Sequence, residues 1–140
     1  MVTIAKTKAA QAGVTLSETP LDLTAEWDKS FTAGSLVQGC VVVRKAFATE
    51  HPNEVATVLA AYEASVNYVI GHPKEASEKI VSAGVFAGAA AVAEKAIPKC
   101  NFCFVKGADM KPLMNEFLAA MPAAAIGGKV PDDGFYYTAE

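Results

Sequence analysis

The run of residues 38–45 constrains the fold more than any other part of this chain. Its sequence, Gln-Gly-Cys-Val-Val-Val-Arg-Lys, places three β-branched residues in succession between a glycine and two charged residues. Such an unbroken run is typical of a strand that is buried on both faces. Residues 101–105, Asn-Phe-Cys-Phe-Val, form a second apolar run of the same kind. We therefore expect an α/β fold in which a sheet is flanked by helices.

Two prolines mark the starts of helices. Pro52 follows His51 and Pro73 follows His72, and a proline in the first turn removes no helical hydrogen bond. After Pro52, apolar residues recur at spacings of three and four, which is the pattern of one face of an amphipathic helix. These residues are Val55, Val58, Leu59, Tyr62, Val66, Val69 and Ile70. The pattern predicts a long helix that Gly71 ends and a second helix from Pro73 that stops at Gly84.

Weaker patterns predict the remaining elements. They are short strands at residues 2–6 and 13–17, a short helix that Thr24 caps and that runs through Trp27, a helix at residues 87–96, and a last helix that Asp109 caps and Pro122 ends. Trp27 is expected to pack in the core, although a ligand cleft would use the same side chain. The mass of 14.6 kDa suits one core, so we expect residues 1–140 to form a single domain.

The sequence contains three cysteines, an odd number that is too small for a disulfide framework. Cys100 and Cys103 have the CxxC spacing that metal sites and dithiol redox centres use, but a structural zinc site needs two further ligands. Cys40, His51 and His72 show no ligand-like spacing. We predict buried, inert thiols, with a redox or metal-binding dithiol as the alternative. No phosphate-binding loop or nucleophile motif is present, so neither enzymatic activity nor a cofactor is expected.

Charge and hydropathy exclude two classes of partner. The net charge is −3 and the twelve basic residues are spread along the chain, with Arg44-Lys45 the only adjacent pair, so no basic stripe is available to bind nucleic acid. No apolar run reaches the roughly 18 residues that a membrane-spanning helix needs. Lys6 and Lys8 interrupt the place where the apolar region of a signal peptide would lie. We expect no nucleic acid, no membrane span and no signal peptide in this chain.

Five segments together carry a family resemblance. They are Leu21-Asp-Leu-Thr-Ala-Glu-Trp, residues 39–47, residues 97–102, Met110-Lys111 and the tail at residues 126–137. They resemble the solute-binding proteins of ABC importers, in the nitrate/sulfonate/taurine and thiamine-precursor type. The similarity is most specific over residues 20–137. Its motifs are packing and turn sequences, so they indicate ancestry more than ligand.

The resemblance implies a fold and a function. Members of this family form two α/β lobes of the type II periplasmic-binding-protein kind, joined by hinge strands, and hold a solute between the lobes. This chain resembles the segment that passes back through the hinge and the C-terminal part of such a protein. We therefore expect a partial lobe with a hinge segment. The implied function is that of a solute-binding component of an ABC importer, or a fragment of one, that helps to line a small-molecule cleft. The implied partner is an ABC permease, and the implied location is the periplasm or the cell surface.

The loop at residues 34–40 is the expected ligand-contacting segment. Loops that enter sheet strands line clefts in open α/β folds, and small polar side chains there can orient a solute. We predict Ser35, Gln38, Gly39 and Cys40 as ligand-binding residues, with no catalytic or metal-binding residue.

The apolar surface also predicts an assembly. If neighbouring strands are missing, the run at residues 38–45 and the long helix leave apolar surface uncovered, which normally recruits a partner. We expect a homodimer or a partner chain. A structural, self-associating domain is accordingly a further alternative function.

Overall fold

The computed structural model describes residues 2–16 and 21–138, without the side chains of Val2 and Thr3. Over these residues the chain forms seven α-helices and three short 3-10 helices. The α-helices are α1 (Val2–Gln11), α2 (Leu23–Trp27), α3 (Lys45–Glu50), α4 (Pro52–Gly71), α5 (Pro73–Ser82), α6 (Ala90–Ala96) and α7 (Gly107–Ala120). The 3-10 helices are Ile97–Lys99, Ala123–Ile126 and Asp133–Phe135.

The described residues contain no strand, so the predicted α/β lobe with a hinge segment and a sheet flanked by helices is wrong. Residues 35–44 and 100–106 are neither helical nor paired as strands. A strand needs hydrogen-bonded neighbours to be stable, and a β-branched run supplies propensity but no neighbour. The valines that were expected to be buried in the sheet are exposed instead: Val41 by 59%, Val42 by 81% and Val43 by 39%.

The two short strands predicted near the N-terminus are also wrong where the structure describes them. Residues 2–6 begin α1, because its alanines and lysines are strong helix formers that outweigh the β-branched residues at its start. Gly13 adopts a left-handed φ of 72° and ends the helix, and the amide of Val14 donates to the carbonyl of Ala9 at 2.8 Å. Residues 14–16 have no regular structure, and Ser17 lies outside the described residues.

The helices that proline was predicted to start are confirmed. Pro52 opens α4 and Pro73 opens α5, and α4 ends at Gly71 as expected. Of the predicted apolar stripe of α4, Val55 and Val66 are buried, whereas other members are exposed: Val58, Tyr62 and Ile70. The apolar pattern therefore predicted the helix correctly but overstated how much of its stripe is covered.

The described residues fall into two compact units. Those of Met1–Glu18 and His51–Phe104 form the first unit, in which α5 packs against α4 and α6, and α1 contacts α6. Its buried apolar residues are Val55, Val66, Ala76, Ala93 and Ile97. Those of Thr19–Glu50 and Val105–Glu140 form the second unit, which contains α2, α3 and α7. A single domain over residues 1–140 stays a prediction.

The second unit corrects two predicted helix starts. Asp22, not Thr24, caps α2, because its carboxylate accepts a hydrogen bond from the amide of Ala25 at 3.1 Å. The last helix, α7, begins at Gly107, two residues before the predicted cap at Asp109, and Pro112 lies inside it. None of the described helices combines the length and the apolar character that crossing a membrane requires.

The C-terminal tail is fixed to α7 by one aromatic side chain. Tyr136 is only 8% exposed, and its hydroxyl lies 3.2 Å from the Asn115 amide oxygen, to which it donates. Burial raises the pKa of Tyr136 above its ordinary value, because a phenolate would lose its hydration there. The ammonium of Lys111 also binds the carboxylate of Asp133 at 2.8 Å. The tail therefore packs on α7 through its middle aromatic, while Phe135 stays 58% exposed.

Candidate functional site: the Trp27 cleft

An open cleft of about 500 Å³ lies beside Trp27 in the second unit, and we call it the Trp27 cleft. Its lining consists of Leu23, Glu26, Trp27, Ser30, Phe31, Leu36 and Gln38. Aliphatic and aromatic side chains dominate this set, and a carboxylate, a hydroxyl and an amide supply its polar groups. A mostly apolar wall with few polar groups is the usual lining of a small-molecule site.

Two stacked rings form the aromatic part of the cleft. Trp27 lies at the end of α2, and the amide of Phe31 donates to the Trp27 carbonyl at 3.0 Å, which continues the helical geometry by one turn. A spacing of four residues places both side chains on one side of that turn. Their ring centroids are 4.1 Å apart, with 23° between the ring planes. Each ring therefore covers one face of the other, and only the remaining faces and edges can line the cleft.

A buried hydroxyl holds the indole in place. The Nε1 of Trp27 donates to the Oγ of Ser35 at 2.7 Å, and Ser35 is fully buried. Gly34 allows this approach because its φ of 84° lies in the left-handed region, and the amide of Ser35 donates to the Thr32 carbonyl at 3.0 Å. The tight turn brings the serine hydroxyl back to the Nε1 edge of the indole. The orientation of Trp27 is thus fixed before any ligand binds.

Helix α7 supports this turn from a distant part of the sequence. Both carboxylate oxygens of Glu116 accept from the amide of Thr32, at 3.2 and 3.3 Å. Hydrogen bonds from Thr32, and a weaker one from Ser35, hold the pKa of Glu116 below its ordinary value of 4.5, because they stabilise the charged form. The next residue, Phe117, lies 5.8 Å from the Trp27 ring, centroid to centroid. The ionised carboxylate of Glu116 and the ring of Phe117, both on α7, therefore stabilise the turn at Thr32 and the indole of Trp27.

The four predicted ligand-binding residues do not all lie at the Trp27 cleft. Gln38 lines the Trp27 cleft, and Ser35 lies behind it as the hydrogen-bond partner of the indole. Gly39 and Cys40 are exposed and are not lining residues. The ligand-binding role of all four stays a prediction.

Sequence reasoning missed two important contributors to this site. Phe31 could have been found, since it lies four residues after the only tryptophan of the chain. Glu116 could not, because 84 residues separate it from Thr32 and no local pattern links them.

The cysteines are not buried as predicted. Cys40, Cys100 and Cys103 are all free and exposed. The prediction was wrong because it placed them in sheet strands that the described residues do not form. The thiol of Cys100 donates to the Ala96 carbonyl at 3.2 Å, at the end of a 3-10 helix. Across the described part of the chain, no group of three or more His, Cys, Asp or Glu side chains is arranged to hold a metal ion.

A second cleft, of about 400 Å³, lies in the first unit between α4 and α5. The ammonium of Lys79 sits 4.4 Å from the centre of the Tyr68 ring, and that ring stacks on His72 at 4.7 Å. The lysine and the histidine thus occupy the aromatic surface that a ligand would need. We favour the Trp27 cleft as the candidate site because Gln38, a predicted ligand-binding residue, lines it.

Comparison of the chain with protein-family models, with curated proteins and with solved structures gives no match. The described residues form helices, and the candidate site is an open cleft with aromatic and aliphatic lining.

Proposed function

We propose that this chain is the solute-binding component of an ABC importer, or part of one, and that the Trp27 cleft contacts the solute. The observation that carries the proposal is the position of Gln38. The sequence predicts that Gln38 contacts a ligand, and this residue lines the same cleft as Trp27. Ser35, from the same loop, orients the indole.

The class of function is proposed from the resemblance, and the location of the site is proposed from the lining of the Trp27 cleft. Support comes from the segments that resemble importer solute-binding proteins and from the lining of the Trp27 cleft. The α/β fold of that family gives no support, because the described residues form no sheet. On this proposal the chain works by binding rather than by catalysis, in the periplasm or at the cell surface beside an ABC permease.

Intrinsic fluorescence tests the proposal directly, because Trp27 is the only tryptophan. We would titrate the chain with nitrate, taurine, an alkanesulfonate and an aminopyrimidine, which represent the solute classes of the resemblance. The expected result is a saturable change in emission with at least one of them, accompanied by a higher melting temperature. Gln38→Ala should weaken that binding. Phe102→Leu, a change at an exposed residue of the first unit, should leave it unaltered. Absence of saturable binding by the whole panel would contradict the proposal.

One observation favours a second function, self-association. Val41, Val42 and Val43 form a β-prone segment that is exposed and unpaired in the described structure. An exposed segment of this kind is a template for pairing with the same segment of a second copy. Light scattering coupled to size-exclusion chromatography would show a dimer if this pairing occurs.

A further inference from the structure

We infer that Cys100 and Cys103 form a binding site for one copper(I) ion, which their two thiolate sulfurs hold. Both cysteines belong to the first unit, whereas the Trp27 cleft lies in the second, so this inference goes beyond the proposed function and does not depend on it. It rests on the exposure of the two thiols, on the backbone between them and on the ligands that the chain offers to a metal ion.

Both thiols are accessible to a metal ion. Cys100 and Cys103 are free and exposed. The prediction of inert thiols depended on burial, because a buried cysteine behaves as a small apolar side chain. An exposed thiol can lose its proton to water, and the resulting thiolate is the form that binds metal ions. The hydrogen bond from the Cys100 thiol to the Ala96 carbonyl opposes this little, because sulfur is a weak donor.

The backbone between the two cysteines is not that of a strand. In a strand, side chains three residues apart point to opposite faces, but residues 101–106 have no regular structure. The chain bends at Cys100, and Asn101 has a left-handed φ of 48°. Asparagine is one of the few side chains that adopt this conformation readily. The chain therefore changes direction beside the first thiol, so the argument from a strand that separated the two thiols no longer holds.

A bound ion demands less of this segment than a disulfide would. Two sulfurs that are joined directly must lie about 2.05 Å apart. Two sulfurs that bind one ion, each at a metal–sulfur distance of about 2.3 Å, can be separated by up to about 4.6 Å. The wider separation is compatible with more backbone conformations. The pair can therefore bind an ion without the close approach of the two α-carbons that a disulfide requires.

The number of available ligands selects the ion. Thiolate sulfur favours soft ions, chiefly copper(I), zinc and the iron of iron–sulfur clusters. Structural zinc sites and iron–sulfur clusters take four protein ligands. Over residues 2–16 and 21–138, no three His, Cys, Asp or Glu side chains are grouped so that they could hold an ion. Copper(I) has a filled d shell and is stable with two thiolates in a linear arrangement, so this pair suits copper(I) better than zinc or iron.

The charge of the surrounding sequence suits a monovalent ion. Residues 95–108 include Lys95, Lys99 and Lys106 but no aspartate or glutamate. A copper(I) ion with two thiolates carries one negative charge, which neighbouring lysines stabilise, whereas the same complex of a divalent ion is neutral. On binding, each thiol releases its proton to the solvent, and a copper–sulfur bond replaces each S–H bond. The oxidation state of the copper does not change, so no oxidant or reductant takes part.

Copper transfer from a coloured chelator measures the site on the full chain. We would reduce the chain, exclude oxygen and titrate it into the copper(I)–bicinchoninate complex, whose absorbance falls as copper is withdrawn. The expected result is one copper(I) ion per chain, with a copper K-edge absorption spectrum that shows two sulfur ligands. Light scattering should show the same oligomeric state with and without copper.

Single cysteine variants locate the ion. Cys100→Ser and Cys103→Ser should each weaken copper binding by more than about 100-fold, since loss of an outer-shell partner alone typically costs 10–100-fold in metal affinity. Cys40→Ser is the matched control, because Cys40 is also free and exposed but belongs to the second unit. Its replacement should leave the copper affinity unaltered. Far-UV circular dichroism would establish that each variant is folded.

Several outcomes would overturn this inference. Failure of the chain to withdraw copper from the chelator is one, and copper uptake that persists in both Cys100→Ser and Cys103→Ser is another. Half an ion per chain together with dimer formation would show that four thiolates from two copies hold the copper. A tight one-to-one zinc complex that either variant loses would contradict a site with two ligands. None of these results bears on the proposed function, which the solute titration tests separately.

Discussion

Replacement of Ser35 by alanine tests the contact that orients the candidate site. The Oγ of Ser35 accepts the indole N–H of Trp27 at 2.7 Å, and Ser35 is fully buried. A buried donor that loses its only partner destabilises a protein by about 1–3 kcal/mol. The indole itself is partly exposed, so water can recover some of this loss. We therefore expect Ser35→Ala to lower the free energy of unfolding of the second unit by about 1–2 kcal/mol.

Urea denaturation provides the assay. Trp27 fluorescence reports on the second unit alone, since no other tryptophan exists, and far-UV circular dichroism reports on the helices of both units. The fluorescence transition should move to lower urea with little change in slope, and the native emission of Trp27 should shift.

Ser77→Ala is the matched control, because Ser77 is the other fully buried serine among the described residues. Its hydroxyl donates to the Lys74 carbonyl at 2.6 Å inside α5, and that carbonyl also accepts a backbone bond of the helix. The substitution therefore leaves no buried donor unpaired, and alanine favours the helix. A Ser35→Ala chain that unfolds at the wild-type urea concentration, with an unchanged native emission spectrum, would refute the role given to this hydrogen bond.

Three further predictions concern other parts of the structure. The pKa of Glu116 is lowered in the folded chain, so the stability that its carboxylate contributes is complete above about pH 4.5 and is lost as the pH falls through the lowered pKa. Acid should therefore loosen the packing around Trp27. Glu116→Gln should remove that pH dependence and lower the stability at neutral pH. The exposed thiols of Cys100 and Cys103 should react with a thiol reagent in the native chain as fast as in urea, and strong protection would contradict their exposure. Val42→Asp should abolish any dimer that light scattering detects, whereas a dimer that persists would exclude pairing through that segment.

The features that were predicted correctly depend on neighbours in sequence. Pro52 and Pro73 start helices because a proline in the first turn removes no helical hydrogen bond, and the residues around them decide this alone. The apolar spacing over α4 is likewise a local signal. These elements could be predicted because each makes its own hydrogen bonds.

The features that were predicted wrongly depend on distant partners. The run at residues 38–45 has the composition of a buried strand, but a sheet forms only when other segments supply backbone donors and acceptors. Its first part is non-helical and unpaired in the described structure, and its last residue, Lys45, begins α3. The cysteines were predicted to be buried because they were placed in this sheet. Since the sheet does not form in the described residues, the cysteines are exposed.

The candidate site combines both kinds of information. Every residue that lines the Trp27 cleft lies between Leu23 and Gln38, so the chemistry that a solute meets is encoded in one short stretch of sequence. The rigidity of the cleft has a different origin, because Glu116 holds the turn at Thr32 from 84 residues away. Substitutions within the short stretch should therefore change which solute binds. Substitutions on α7 should change how tightly it binds without altering the preference, because they loosen the indole but leave the lining unchanged.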